Sequence, residues 1–251
     1  MTRLAIEHVN VRLGDDLAVR DISASFDAGE CVAILGPNGA GKSTLLRALA
    51  GLLPCKGSIA LDGRPLAAMT RAERARRIAF LPQDHQMHWP LPAREIVALG
   101  RFPHGAADPQ RLPPADAAIV DEAMAACDVA PFADRPATDL SGGERARVAL
   151  ARVLAVQAPV VLADEPTASL DPRHQLAIME VLRDTARRGT LVLAVTHAID
   201  QALSFADRIL VLHQGRVAGC GTPAATLSPR LLADVFGLRA EGTRPRWERL
   251  A

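Results

Sequence analysis

The sequence has no tyrosine among its 251 residues, and aromatic residues make up only 3% of it. No apolar run approaches the roughly 18 residues of a transmembrane helix, so we expect none. The four cysteines show no CxxC spacing, which argues against a cysteine zinc site and favours free thiols in a reducing compartment. The net charge of +1 provides no overall field for nucleic acid. Residues 1–7 include an acid and lack a long apolar core, so we do not expect a signal peptide.

The most informative stretch is a glycine-rich octapeptide, Gly36-Pro37-Asn38-Gly39-Ala40-Gly41-Lys42-Ser43. It has the P-loop pattern, and the flanking sequence predicts a buried strand over 31–35 and a helix over 44–50. In that setting, backbone N–H groups and the positive end of the helix bind phosphate oxygens. Lys42 is placed to reach the β- and γ-phosphates, and the Ser43 hydroxyl to ligate Mg²⁺. A chance glycine-rich turn is the weaker alternative, because the flanking strand and helix suit a P-loop.

The apolar pattern around the P-loop predicts an α/β fold. Alternating apolar positions predict a small N-terminal antiparallel section at 4–11, 21–27 and 58–61. Short apolar runs predict further buried strands at 78–81, 160–163, 191–195 and 208–212. Helical stretches separate the last three of these strands, as in βαβ units with a parallel sheet.

We predict a single domain in three parts. Residues 1–83 and 157–238 form the nucleotide-binding core, a parallel sheet flanked by helices. Residues 84–156 carry two helical stretches with no predicted strand between them, and we expect an inserted helical subdomain. Residues 239–251 form a tail with little apolar periodicity, for which we expect loose packing and assign no function.

Several of the predicted strands lead into polar residues. One enters the P-loop, and the others lead to Gln83, to the pair Asp164-Glu165 and to Thr196-His197. Because the carboxyl ends of parallel strands share one edge of a sheet, we expect these groups to meet at one ligand site.

Each polar strand end suggests a role in phosphate chemistry. Asp164 is a candidate for holding Mg²⁺ through water, and Glu165 for orienting and polarising an attacking water. His197 is a candidate donor to the γ-phosphate, and the Gln83 amide is able to contact both Mg²⁺ and the attacking water. The ordinary alternatives are an acidic pair that opens a loop, a turn histidine and a loop glutamine.

Residues 140–144, Leu140-Ser141-Gly142-Gly143-Glu144, resemble the signature motif of ABC-transporter ATPases, which most often ends in Gln. The resemblance covers nearly the whole chain and implies a RecA-like P-loop NTPase fold that binds ATP and Mg²⁺. It makes residues 36–43 the Walker A motif, with Thr44 as a further nucleotide-binding residue. It makes Asp164 the Walker B acid and a metal ligand, together with Ser43 and Gln83.

The same resemblance implies further roles. Gln83 is the Q-loop residue, Glu165 the catalytic base and His197 the switch histidine. Residues 168–171 are the D-loop, in which Asp171 contacts nucleotide. These motifs occur in the order that the family shows.

Ser141, Gly142 and Gly143 precede a predicted helix, whose N-terminus is a second anion site. It lies on the helical insert, too far along the chain to reach this subunit's own P-loop. In ABC ATPases this motif closes over the ATP of a second, head-to-tail subunit. One P-loop and one signature in the chain therefore imply a dimer.

The segment 89–104, which begins at Trp89, resembles the corresponding segment of ATPases that serve importers of iron chelates, haem and cobalamin. This implies separate membrane permease subunits that dock on the surface from Trp89 to Arg101, and indirectly a substrate-binding protein. It also implies a peripheral protein at the cytoplasmic face of the inner membrane, with no nucleic-acid partner. The structural alternative is an amphipathic helix that caps the insert.

One position departs from the family pattern. Family members usually stack adenine on an aromatic side chain just before an early glycine, and here that position is Leu13. Arg12 is the alternative stacking group. Two other functions stay open: a soluble non-transport ABC ATPase and a non-hydrolysing regulator, the second disfavoured by the intact Glu165 and His197.

Overall fold

The computed structural model describes residues 2–84, 87, 90–168, 170–241 and 246–249, with backbone alone for 239–241 and 246–249. Its strands are β1 (Arg3–Leu13), β2 (Asp16–Asp27), β3 (Cys31–Leu35), β4 (Lys56–Leu61), β5 (Arg64–Pro65), β6 (Ile78–Leu81), β7 (Val160–Asp164), β8 (Leu191–Val195), β9 (Arg208–His213), β10 (Arg216–Gly221), β11 (Leu238–Glu241) and β12 (Arg246–Arg249).

The main sheet has six strands in the order β10-β9-β3-β8-β7-β6. All neighbours are parallel except β10, which pairs antiparallel with β9 at the edge. The strand before the P-loop, β3, is therefore followed on one side by β8, β7 and β6. These are the strands that lead into the predicted polar residues, so their carboxyl ends are adjacent.

A second, antiparallel sheet has the order β2-β1-β4-β5. It provides the predicted N-terminal section, although β2 begins at Asp16 and is five residues longer than the alternation at 21–27 indicates. In the predicted tail, β11 and β12 pair in an antiparallel hairpin for which the sequence predicts no element. The sequence analysis also predicts no strand at β10, whose residues alternate between exposed and half-buried.

The helices surround the main sheet. They are α1 (Lys42–Leu49), α2 (Arg71–Arg77), α3 (Ala93–Ala98), α4 (Pro114–Ala126), α5 (Gly142–Leu154), α6 (Pro172–Arg187), α7 (Ile199–Phe205), α8 (Pro223–Thr226) and α9 (Pro229–Leu231), which continues into a π-helical turn, Leu232–Phe236. Short 3₁₀ segments lie at Leu66–Ala68, Leu99–His104, Ala130–Phe132 and Ala137–Asp139. None of the helices in the described part of the chain combines the length and hydropathy that a membrane crossing requires.

Two hydrophobic clusters cover the two faces of the main sheet. Cys31, Ala33 and Leu35 of β3 pack into the cluster shared with α3 to α6, whereas Val32 and Ile34 pack into the cluster shared with α1 and the antiparallel sheet. All five side chains are fully buried. A strand covered on both faces must be apolar throughout, which explains the unbroken run before the P-loop. The predicted α/β fold class is confirmed.

The four cysteines are free thiols, as the absence of paired spacing predicts. Cys31 and Cys127 are buried, and burial raises the pKa of each to about 12. They act as small apolar side chains of the core.

Candidate functional site

The P-loop joins the end of β3 to the start of α1, and two of its glycines are required by close backbone neighbours. Gly36 has a φ of +149°, and a Cβ there would lie 2.1 Å from the carbonyl oxygen of Leu212 in β9. Gly41 has a φ of +94°, and its Cβ would lie 2.4 Å from the carbonyl oxygen of Ala18 in β2. A side chain at either position would force the loop away from its neighbouring strand.

Helix α1 begins with open N–H groups, because its N-cap residue is Gly41 and no side chain of the described residues caps it. Lys42 is buried, and its Nζ donates to the carbonyl oxygens of Gly36 at 2.8 Å and Pro37 at 2.9 Å. Burial lowers the pKa of Lys42. Open N–H groups beside a buried cation are the arrangement that binds a polyphosphate.

The predicted polar strand ends lie together at the carboxyl edge of the main sheet. Ser43 Oγ donates to Asp164 Oδ1 at 2.7 Å. Gln83 Nε2 donates to Glu165 Oε2 at 2.9 Å, and His197 Nε2 donates to Glu165 Oε1 at 2.5 Å. Residues at the ends of four adjacent strands thus form two neighbouring hydrogen-bonded sets, Ser43 with Asp164 and Glu165 with Gln83 and His197, as the strand order requires.

A cleft of about 240 Å³ opens beside the P-loop. Its lining residues are Leu13, Ala18, Asn38, Gly39, Ala40, Gly41, Lys42, Ser43, Thr44, Glu165 and His197. A ligand seated on the P-loop would therefore also face the carboxylate and the imidazole that follow β7 and β8.

Asp164 is fully buried, and one of its carboxylate oxygens accepts no hydrogen bond from the described residues. Oδ1 accepts from Ser43, whereas Oδ2 lies 4.0 Å from Nη2 of Arg47 and has no hydrogen-bond partner. Burial raises the pKa of Asp164, against the opposing effects of the Ser43 hydroxyl and Arg47. A buried carboxylate with an unused oxygen beside a serine hydroxyl fits Mg²⁺, which prefers oxygen ligands and keeps water and phosphate in its shell.

Glu165 adopts a left-handed backbone conformation, with a φ of +49°, which is uncommon for a residue other than glycine. The Ala168 N–H donates to its carbonyl oxygen at 3.1 Å and closes the turn. This turn directs the carboxylate to the cleft, where Gln83 and His197 hold its two oxygens. A carboxylate fixed in this way beside a phosphate site is able to orient water and accept its proton.

The signature residues begin α5 and are capped by the chain itself. Ser141 is the N-cap, and its Oγ accepts from the Glu144 N–H at 3.3 Å, while Glu144 Oε2 accepts from the Ser141 N–H at 2.7 Å. The hydrogen bond from the Ser141 backbone lowers the pKa of Glu144. Ser141 and Gly142 are exposed, and none of the described residues that line the P-loop cleft belongs to this motif.

Asp171 lies at the start of α6, outside the P-loop cleft. It is the N-cap of that helix, and its carboxylate accepts from both the backbone N–H and Nδ1 of His174. These hydrogen bonds lower the pKa of Asp171. Ser169, in the middle of the predicted D-loop, lies outside the described residues.

Leu13 lines the P-loop cleft with 48% of its surface exposed. Arg12 Nη1 donates to the carbonyl oxygen of Asp15 at 3.0 Å, within the turn between β1 and β2. The Arg12 guanidinium, which the sequence suggests as an alternative group to stack on adenine, therefore already makes a hydrogen bond within the protein.

The described residues of the segment, 90–104, range from buried to exposed, so only some of them could contact a permease. Gly100 and Arg101 are buried, and a Cβ on Gly100 would lie 2.3 Å from the carbonyl oxygen of Arg152. Arg101 Nε donates to Asp116 Oδ1 at 2.7 Å, and its Nη1 donates to the carbonyl oxygen of Ala155 at 2.9 Å. These contacts secure the C-terminal end of α5.

Only part of that segment is available to another molecule. Phe102 has 65% of its surface exposed, and His104 is also exposed. Leu91 is half-buried against the core. Trp89, on which the predicted docking surface is centred, lies outside the described residues.

Three further residues, for which the sequence predicts no role, contact the site residues. Arg47 follows Ser43 by one helical turn on α1, a spacing that could have identified it. His174 follows its N-cap aspartate by three residues, which is a capping position. Gln201 accepts from Thr167 Oγ1 and Thr196 Oγ1, and no sequence pattern marks it.

Comparison with known proteins places the chain among ATP-binding cassettes. The family model for ABC transporter matches residues 19–168. The chain is 46% identical to the hemin import ATP-binding protein HmuV of Rhodococcus jostii (strain RHA1), covering 93% of this chain and 80% of that protein. It is 43% identical to the cobalamin import ATP-binding protein BtuD of Halobacterium salinarum (strain ATCC 29341 / DSM 671 / R1), covering 96% of this chain and 61% of that protein.

Two solved structures show the same fold. One is described as a metal-chelate type ABC transporter in an inward-facing conformation, with a TM-score of 0.82 and 25% identity over 99% of this chain and 96% of that one. The other is a dimeric ATP-binding cassette in a post-hydrolysis state, bound to ADP and Pi. Its TM-score is 0.76 and its identity 29%, over 88% of this chain and 98% of that one.

Proposed function

The chain belongs to the ABC transporter family and is an ATP-binding ATPase, and we propose that it powers import of a metal chelate or corrinoid through separate membrane permease subunits. The observation that carries the ATPase chemistry is the pair of hydrogen-bonded sets at the sheet edge beside the P-loop, Ser43 with Asp164 and Glu165 with Gln83 and His197.

We assign each member of this group a role. The loop 36–44, including Lys42, would hold the phosphates, and Asp164, Ser43 and Gln83 would hold Mg²⁺. Bound Mg²⁺ supplies positive charge to the phosphate oxygens. Glu165 would orient the attacking water and accept its proton. His197 Nε2 donates to Glu165 in the nucleotide-free structure and would donate to the γ-phosphate instead once ATP enters.

We propose that two copies of the chain complete each site, with Ser141, Gly142 and Gly143 of one copy facing the ATP of the other. The support is that the signature helix begins outside the P-loop cleft of its own chain. Its exposed N-terminus retains the positive end of a 13-residue helix. Asp171 would lie at the same interface.

The cargo proposal rests on the relatives, which are named for hemin and cobalamin import. A haem, ferric siderophore or corrinoid would be recognised by the permease and a substrate-binding protein, and this subunit would lie peripherally on the cytoplasmic face of the inner membrane. The names of the relatives favour this proposal over a soluble, non-transport ATPase.

Within the chain, we propose residues 1–83 and 157–238 as the nucleotide-binding core and residues 84–156 as the helical subdomain.

Co-purification tests the proposal. The tagged chain is purified from the solubilised membranes of its native host, and any complex with membrane subunits is reconstituted in liposomes with haem or cobalamin outside and ATP inside. We expect a stable complex and ATP-dependent uptake, and a Glu165→Gln complex that assembles but does not transport. A chain that captures no membrane protein and hydrolyses ATP at full rate alone would contradict the import role.

A further inference from the structure

The starts of helices α5 and α6 are held together by one imidazole ring. A Cβ built on Gly143 of α5 would lie 2.8 Å from Cγ and Cδ2 of His174, and 2.9 Å from its Nδ1. Gly143 is buried, and the His174 side chain is 28% exposed. The ring therefore packs directly on the backbone of the signature helix, at a position where any side chain larger than glycine's hydrogen would displace it.

The ring is also held by hydrogen bonds to Asp171. His174 Nδ1 donates to Asp171 Oδ2 at 2.6 Å, and the His174 backbone N–H donates to Oδ1 at 3.0 Å. Asp171 is the N-cap of α6 and has Pro172 after it, which restricts the backbone there. Turning the ring away from Gly143 would break a hydrogen bond to a carboxylate, which belongs to the stronger class of such bonds.

We propose that His174 is a positioning residue, which sets the spacing between the signature residues Ser141 to Gly143 and the D-loop residue Asp171 of the same subunit. The two elements then move as one body when the subunits close over ATP. The inference rests on the proposed role of the signature at the partner subunit's ATP. A displacement of about 1 Å at such a phosphate contact lowers turnover strongly, although the displaced residue takes no part in the chemistry.

A double-mutant cycle tests the contact. Gly143→Ala puts a methyl group against the ring, whereas in a His174→Ala background the same methyl group has room. We expect Gly143→Ala to lower kcat at least about 30-fold in the wild-type background and no more than about threefold in the His174→Ala background. This tenfold coupling corresponds to about 1.4 kcal/mol.

Conservative variants separate the ring from the hydrogen bond. His174→Phe keeps a ring on Gly143 but cannot donate to Asp171, and His174→Asn places a donor near the Nδ1 position but lacks most of the ring. We expect His174→Ala to lower kcat about tenfold and each conservative variant to recover part of that loss. The affinity of the isolated subunit for ATP should stay within twofold of wild type, because the P-loop cleft does not include His174.

Two results would overturn the inference: full turnover in His174→Ala, or losses from Gly143→Ala and His174→Ala that simply multiply. Thermal unfolding of each variant identifies a general loss of structure, which would lower ATP affinity as well as kcat. Ser141→Arg separates a failure of the proposed trans role of the signature from a failure of the proposed role of His174. If Ser141→Arg abolishes hydrolysis but the cycle shows no coupling, the trans role stands and the role of His174 falls. If Ser141→Arg is fully active, the trans role itself is wrong.

Discussion

Two helices of this protein begin with residues that suit phosphate, and their N-termini are built in opposite ways. Helix α1 starts after Gly41, which offers no capping side chain, so its N–H groups remain open to a ligand. Helix α5 starts at Ser141, which forms a reciprocal capping box with Glu144. The first terminus depends on a ligand for its hydrogen bonds, whereas the second satisfies part of its own.

The difference suits the order of events in a two-subunit cycle. An open N-terminus with a buried lysine beside it binds nucleotide in the single subunit. The capped N-terminus is stable while exposed, and is able to exchange the Ser141 contact for a phosphate when the partner closes. Under the proposed function, the P-loop, Asp164 and Glu165 carry out the chemistry, and the start of α5 contributes phosphate contacts that form only when the partner closes.

The largest effect should come from removing the proposed catalytic base, Glu165, which lies in the same P-loop cleft as the start of α1. We expect Glu165→Gln to lower kcat by about 10²- to 10⁴-fold, because an amide cannot accept the proton of the attacking water. ATP binding should persist, since the P-loop is intact, and gel filtration with ATP and Mg²⁺ should show a trapped dimer. A monomer that turns over at nearly the wild-type rate would contradict the assignment of Glu165.

The second-largest effect should come from changing Ser141, the N-cap of α5, which leaves the P-loop cleft intact. We expect Ser141→Arg to lower hydrolysis at least about 100-fold, the scale of losing a preorganised donor at the reacting group, with little change in the affinity of the monomer for ATP. Ser141→Ala is the matched smaller change, which removes the hydroxyl and keeps the space.

Mixing Ser141→Arg with Lys42→Ala subunits extends this test. One composite site in the mixed dimer lacks both elements, and the other is intact. Restored activity shows that the signature acts in trans. Complete absence of activity would mean either that the two sites fire together or that the trans role is wrong.

The far end of α5 should matter for stability and not for chemistry. Arg101 is buried between Asp116 and the carbonyl oxygen of Ala155, so its loss leaves a carboxylate and a helix end without their donor. We expect Arg101→Met to lower the free energy of unfolding by about 3 kcal/mol, measured by urea denaturation. Adding Asp116→Leu should recover part of the loss. A change below about 0.5 kcal/mol would show that water can satisfy Asp116 and the carbonyl oxygen of Ala155 when the Arg101 guanidinium is removed.

The sequence predicted the P-loop cleft and the strands that form it better than it predicted the contacts made by α5. Strands β3, β6 and β8 were predicted residue for residue, and parallel order alone explains why Gln83, Glu165 and His197 meet. His174 was missed because its contact with Gly143 joins helices 30 residues apart through shape, which no periodicity records. The burial of Arg101 was missed for the same reason, since it depends on the end of α5.

The capping box gives a smaller effect with a defined pH dependence. We expect Glu144→Ala to destabilise the protein by about 1 kcal/mol at pH 7. The pKa of Glu144 is lowered in the folded protein by its bond from Ser141, so its stabilising contribution is complete above the ordinary glutamate pKa, about 4.3. The contribution is lost as the pH falls through the lowered folded value.

Glu144→Gln is the control for charge, because it keeps an acceptor for the Ser141 N–H. The stability gap between wild type and Glu144→Gln should therefore narrow as the pH falls below the ordinary glutamate pKa and close below the lowered folded value, as measured by urea denaturation at a series of pH values. A gap that is independent of pH would show that the carboxylate is not held by the cap.

The smallest effect concerns the base of the nucleotide on the α1 side. Leu13 contributes apolar contact to the cleft but no aromatic face, and Arg12 is engaged with Asp15. The P-loop contacts only phosphates, which ATP and GTP share, so we expect GTP hydrolysis within about tenfold of ATP hydrolysis.

Leu13→Tyr should tighten purine nucleotide binding about fivefold, the equivalent of roughly 1 kcal/mol of stacking, without changing kcat. Leu13→Met is the non-aromatic control, and competition binding with ATP, GTP and inorganic triphosphate separates base from phosphate affinity. A strong ATP preference in the wild type would mean that a residue of the partner subunit holds the adenine.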